Sequence, residues 1–379
     1  MIKMKWAHLL LVLLPALGVA CAQVKLNDSE IPGSVIIFPK FQTGTVAIDG
    51  VTTPRTEFEL GVVCPVGSTC AEHQPVRIRM QWVCPGSPQN PPICPTIDFD
   101  VLASVNGKAV FNTEGPAFPG NKFVPPPPCP NGYLIGWVID ITDRPVKFDG
   151  LFGDAVIRNT PTAIGSYAAI PIQADRALAN YNGSNSGVAA IATGVDPITR
   201  IYTLPFDGST GHYRAVTGAV IGDVTFDNAM GPTPTDTSLI LLTLDVRSYQ
   251  SNNPTIVPLN FYSENERLLS TLWKFPCWTE VNLTNIDPNL TQQQMTTRKG
   301  LVVSGQAVSE AVVGSPDNAR LVTLLGLIQT SERTRRTVHS GAAGSPMWIS
   351  RSEGLVQIFK MFNNGKPVPT SFVPQANPF

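Results

Sequence analysis

Seven cysteines, four histidines and a crowd of aspartates are the residues of this 379-residue chain whose types could do chemistry. Cys21 falls at the end of an N-terminal apolar run, which leaves Cys64, Cys70, Cys84, Cys94, Cys129 and Cys277. An even set in a chain bound for an oxidising compartment reads as three disulfides, although six cysteines allow many connectivities. Cys64 and Cys70 bracket PVGST, and Cys84 and Cys94 bracket PGSPQNPPI, two loop sequences able to return their ends to bridging distance. Local pairing of each leaves Cys129 to bond with Cys277. Zinc is the rival use of these thiols. It is disfavoured because the spacings exceed the short C-x-x-C type pairs that zinc prefers, and His73 is the one histidine nearby.

The histidines do not converge with a nucleophile in the sequence. His8 lies in the N-terminal apolar run, His73 in the first cysteine loop, His212 in GHYRAVTG and His339 in a polar segment. Ser345, in GAAGSPMW, is outside the G-x-S-x-G elbow that exposes a hydrolase nucleophile. No catalytic residue is assigned, and a non-catalytic role is favoured. Asp98 and Asp100 share one strand face by period two, while Asp140, Asp143, Asp149 and Asp154 crowd the next segment. Oxygen-rich loop ends of exported β-proteins bind calcium, so calcium is the one cofactor these residues suggest; turn-forming aspartates are the competing reading. Tyr133, Trp137, Trp273, Trp278 and Trp348 would stack on sugar rings if exposed and fill cores if buried.

The elements that must position these residues read as short strands. Thr56 to Val63 alternates, and Pro75 to Val83 alternates more clearly, with Val76, Ile78, Met80 and Trp82 inward and Arg77, Arg79 and Gln81 outward. The two flank the first cysteine loop and are expected to form a stapled hairpin. Ile97 to Val105 and Ala109 to Asn112 flank Asn106-Gly107, a turn signal because these residues tolerate positive φ. A proline-rich connector, Pro116 to Pro130, leads to Cys129. After it Tyr133 to Ile141 and Val146 to Ile157 are joined at Asp143, Arg144 and Pro145, which reads as strand, turn, strand. A short helix is expected over Asp175 to Tyr181. Strands are expected over Arg200 to Pro205, His212 to Val216 and Val220 to Phe226.

Ser238 to Arg247 is apolar on both faces, as a strand buried on both sides would be, and Ile256 to Tyr262 returns after Asn252, Asn253 and Pro254. Leu268 to Phe275, Trp278 to Ile286, Gly300 to Val308 and Arg320 to Gln329 continue the series. Ser331 to Gly344 reads as a mobile polar segment. A weak internal echo aligns Glu57–Val62 with Leu239–Leu244, Val76–Trp82 with Ile256–Tyr262, and Cys129–Ile139 with Cys277–Leu283.

The fold class that follows is all-β, as two tandem sandwich-like halves, Ig-like or jelly-roll-like, with disulfide-stapled loops. Residues 1–22 read as a secretory signal, with Lys3 and Lys5, an apolar run and an A-x-A site before Gln23; a lipid anchor through Cys21 is the minority alternative. Residues 23–175 form the first half, 176–199 a linker, and 200–379 the second half with its tail. A charged fraction of 15% and a net charge of −1 argue against a nucleic-acid partner. No later window is long and apolar enough for a membrane helix. The expectation is a secreted or cell-surface structural or adhesive protein, with itself or surface glycans as partner; a carbohydrate-binding module or an extracellular hydrolase is the alternative.

Overall fold

The computed structural model describes residues 30–86, 94–116, 118, 124–161, 163–174, 190–195, 202–216, 218–225, 236–244, 254–263, 265–290, 300–309, 323–333, 338–342, 354–358, 362–363 and 366–367. Over these residues the chain is all-β: its paired strands are antiparallel, with one short helix. The expected signal segment, the helix over 175–181 and most of the linker lie outside the described residues.

The first part contains β1 (Val35–Gln42), β2 (Thr45–Ile48), β3 (Val51–Pro54), β4 (Thr56–Val62), β5 (Pro75–Val83), β6 (Thr96–Ser104), β7 (Gly107–Asn112), β8 (Asn131–Ile139), β9 (Leu151–Thr160), β10 (Ala163–Ala168) and β11 (Ile170–Ile172). They form a first sheet in the order β11-β1-β8-β5-β6 and a second in the order β10-β9-β4-β7, with β2 and β3 a separate hairpin. Rings from both sheets meet between them. Phe58 of β4 lies 5.0 Å from Phe38 of β1, 5.6 Å from Trp82 of β5 and 5.3 Å from Phe111 of β7.

This order corrects the expected stapled hairpin and sends the other two turns across the sheets. β4 pairs with β7 and β9, while β5 pairs with β6 and β8, so the two strands flanking the Cys64–Cys70 loop belong to different sheets. Asn106 does take a positive φ of 61°, but its turn carries the chain from β6 in one sheet to β7 in the other. Asp143, at φ 64°, likewise leads from β8 to β9 across the sheets. Each crossing sets the two strands on opposite sides of one interior, to which both turn an apolar face. Asp49 and Gly50, both at positive φ, fold β2 back onto β3.

The second part contains β12 (Gly194–Val195), β13 (Tyr202–Phe206), β14 (Ala219–Thr225), β15 (Asp236–Thr243), β16 (Thr255–Ser263), β17 (Leu268–Phe275), β18 (Trp278–Asn282), the helix α1 (Leu283–Ile286), β19 (Gly300–Gln306), β20 (Val308–Ser309), β21 (Leu324–Arg333), β22 (Val338–Ala342), β23 (Gly354–Ile358), β24 (Phe362–Asn363) and β25 (Lys366–Pro367). A third sheet runs β18-β15-β21-β22 and a fourth β14-β19-β16-β17, with β20 also on β16; β12, β13 and β23 form a small sheet.

Residues 331–333 end β21 and 338–342 form its partner β22, within the segment expected to be mobile. His212 to Val216 makes no strand; Tyr213 bridges Ala174 instead. The internal echo fails on topology. It equates β5 with β16 and β8 with β18, yet β8 pairs with β5 whereas β18 pairs with β15.

β15 is buried on both faces, as its sequence predicts. Leu239 and Leu241 pack with Val257 and Phe261 of the fourth sheet, while Ile240 and Leu242 join the core built from β1, β5 and β8. The third sheet thus has apolar cover on each side.

Candidate functional site

The six cysteines come together as three bonds, Cys64–Cys70, Cys84–Cys129 and Cys94–Cys277. The first is the expected local staple. The other two correct the expected Cys84–Cys94 and Cys129–Cys277 pairs, and strand order explains why. β5 lies between β8 and β6, so Cys84, just past β5, has Cys129 before β8 on one side and Pro95 before β6 on the other. Cys84 N donates to Pro95 O at 2.9 Å while its sulfur turns to Cys129. Cys94 is thereby left to meet Cys277. The proline connector is pinned, as its terminal cysteine suggested, also by Trp82 Nε1 donating to Pro125 O at 2.8 Å.

The aspartates divide into separate settings. Pairing of β5 with β6 sets Arg79 opposite Asp100 and Gln81 opposite Asp98. Arg79 Nε donates to Asp100 Oδ1, and its Nη2 to Asp143 Oδ1 at 3.2 Å; Arg77 Nη2 donates to Asp100 Oδ2 at 2.9 Å and to Asp143 Oδ1 at 3.1 Å. Gln81 Nε2 donates to Asp98 Oδ1 at 2.9 Å. Arg79 and Gln81 are buried, which corrects the expectation of an outward, solvated face. Burial works against the Arg79 cation, but its hydrogen bond and charge contacts with Asp100, aided by Asp143 and Asp98, hold its pKa above the ordinary value. Asp140 Oδ1 accepts from Thr142 N at 2.7 Å and Arg144 N at 3.0 Å, a turn-forming role. Of the carboxylates considered for calcium, Asp100 and Asp143 are thus engaged by guanidinium groups, Asp98 by a side-chain amide and Asp140 by turn amides. Among the described residues no group of three or more His, Cys, Asp or Glu is arranged to hold a metal.

Asp149 sits apart from this network. Its Oδ1 accepts from Ser34 Oγ at 2.6 Å and Ala174 N at 2.8 Å, tying the entry of β1 to the exit of β11. Burial pushes its pKa up, against the lowering effect of those hydrogen bonds and of Arg214. Asp154 stands beside Glu59, where Lys108 Nζ donates to both Glu59 oxygens at 3.0 Å.

Of the histidines, His212 Nδ1 lies 2.7 Å from Asp207 Oδ1, which also accepts from Ser209 N at 2.9 Å. The group closes a turn between β13 and β14. His73 is exposed beside Glu72. Tyr133, Trp137 and Trp278 are core residues, and Trp273 Nε1 donates to Thr279 Oγ1 at 3.3 Å, so these aromatics do not form an exposed sugar platform. Ser345 and Trp348 lie outside the described residues.

Sequence reasoning passed over Lys40. Its side chain is 1% exposed, and Nζ donates to Glu280 Oε1 at 2.5 Å and Gln329 Oε1 at 2.6 Å, reaching from β1 to β18 and β21. Burial lowers its pKa, and the charge of Glu280 opposes that shift. Trp278 Nε1 donates to Pro39 O at 2.8 Å in the same seam. The signal was present: a lone cation within the apolar run SVIIFPKF must find a partner indoors.

No protein-family model matches the chain. No curated protein matches it either. Among solved structures, one described as Thermotoga maritima 1070 aligns over 36% of this chain and 98% of its own at 9% identity, with a TM-score of 0.24. The described geometry is one of charges engaged with one another: Lys40, Arg77 and Arg79 each meet a carboxylate, and the six described cysteines are consumed in bonds.

Proposed function

We propose that this protein is an exported, non-catalytic structural or adhesive component of the cell surface or extracellular space. The observation that carries the reading is the covalent frame of three disulfides, one of which joins residues 183 apart in sequence. Such bonds persist in oxidising compartments and are reduced in most cytosols. The pairing of the interior charges supports the same reading, because it suits a rigid scaffold.

The test is fractionation of a producing cell, with thiols counted before and after reduction. The expected result is recovery at the surface or in the medium with the six cysteines beyond Cys21 unreactive until reductant is added. Recovery in the cytosol with those six thiols free would overturn the proposal. Mass analysis of the recovered N-terminus distinguishes a start at Gln23 from a lipidated Cys21.

A further inference from the structure

β17 ends the fourth sheet, hydrogen-bonded to β16 alone among the described strands. It runs for eight residues, without proline or any register shift, and from Leu268 to Trp273 it carries no charge. Leu268 is 56% exposed and Leu272 62%, and Tyr262 of β16, opposite Leu268, is 41% exposed. Edge strands are usually guarded by charge, proline, bulges or brevity. The other edges of the first three sheets show such guards. β6 holds Asp98 and Asp100, β7 holds Lys108, and β10 has a register shift after Ala163. β11 is three residues long with Pro171, and β18 and β22 have five residues each.

We propose that β17 is a self-association edge, at which two copies of this chain pair antiparallel about a two-fold axis through Ser270. The inference rests on the structural role proposed above and names the surface that would serve it. The argument for a second copy is self-complementarity. With Ser270 on the axis, Leu268 of each copy faces Leu272 of the other, so four exposed leucines cover one another. Arg267 faces Trp273, a cation–π combination. Placing the axis one residue later, at Thr271, sets Lys274 against Leu268 and loses both matches. The pairing closes on itself, giving a dimer. One strand edge offers less than the roughly 1,200–2,000 Å² of a stable interface, so the dimer forms at high concentration and dissociates on dilution.

The experiment is sedimentation velocity on the disulfide-bonded full chain over about a hundredfold range of concentration. The wild type is expected to pass from monomer to dimer. Leu272→Lys should weaken the dimer about tenfold or more, since each copy contributes the lost contact. Ser270→Lys, on the axis itself, should weaken it about fivefold by placing two like charges together. A wild type that stays monomeric throughout overturns the inference, and so does a dimer unmoved by Leu272→Lys or by Ser270→Lys. Fractionation and thiol counting judge the exported, disulfide-framed reading separately. A dimer insensitive to β17 would sink this surface alone, and a cytosolic, reduced chain would sink the other.

Discussion

Replacing Cys94 and Cys277 together by alanine removes the bond that closes the longest covalent loop in the protein. In the chain-entropy account the stabilisation grows with the logarithm of loop length. A separation of 183 residues corresponds to a ceiling of about 5 kcal/mol, and the separation of 6 between Cys64 and Cys70 to about 2 kcal/mol. The intact Cys84–Cys129 bond offers a shortcut through the loop, but the logarithm makes that correction small. Alanine is the right replacement because Cys94 and Cys277 are both buried, and serine would add hydroxyls to an apolar site. Urea unfolding under non-reducing conditions, followed by tryptophan fluorescence, gives the comparison. C94A/C277A should lose about twice the stability that C64A/C70A loses, and its m-value should rise because its unfolded chain is less constrained. A smaller loss for C94A/C277A than for C64A/C70A, with no change in m, would refute the argument that this bond restrains the unfolded ensemble.

The arginine network makes an asymmetric prediction. Asp100→Ala leaves the buried Arg79 with Asp143 as its one carboxylate in ion-pair contact and should cost about 3 kcal/mol, whereas Asp143→Ala, at the solvent edge, should cost about 1 kcal/mol or less by urea midpoint. Equal losses would show that Asp100 is not the principal partner. Asp149 predicts a pH dependence. Its folded pKa is raised by burial, so its charged form costs stability above that pKa, and the cost vanishes below the unfolded value of 3.8. Asp149→Asn should therefore be at least as stable as wild type at neutral pH, with the difference closing as pH falls through that window. A variant clearly less stable at neutral pH would mean that the contacts from Ser34, Ala174 and Arg214 outweigh the burial.

Individual strands were legible because alternation is a local property. Pro75–Val83 and Leu268–Phe275 were read to the residue, and the doubly apolar run of β15 is buried on both faces. Sheet membership was not legible, because it depends on where each turn sends the chain. Asn106 and Asp143 look the same whether the next strand returns beside the last or crosses to the facing sheet. The same ambiguity defeated the cysteines: their even number was readable, but Cys84 bonds to the neighbour set by strand order and not to the neighbour in sequence. Asp49-Gly50 was readable and was missed. The pairing of Arg79 with Asp100 needed the β5–β6 register, and burial of that face needed tertiary structure.

The seam around Lys40 shows how ionic, apolar and covalent contacts divide the work of docking the third sheet. Bringing a lysine cation out of water costs more than one carboxylate returns in most buried sites, and the lowered pKa of Lys40 says that burial is the larger effect here. The attraction across the seam must then come from elsewhere. Apolar surface is available in Ile240, Leu242, Trp278 and Leu325, which share a core with β1 and β8, and the Cys94–Cys277 bond holds the docked arrangement covalently. What the Lys40–Glu280–Gln329 group adds is choice among arrangements. Leucine and isoleucine faces slide past one another at little cost, but a shift of one strand position would strand the Lys40 ammonium in an apolar interior and part Trp278 Nε1 from Pro39 O. Polar contacts that contribute little to net stability thus select the register, and the disulfide then has a single geometry in which to close.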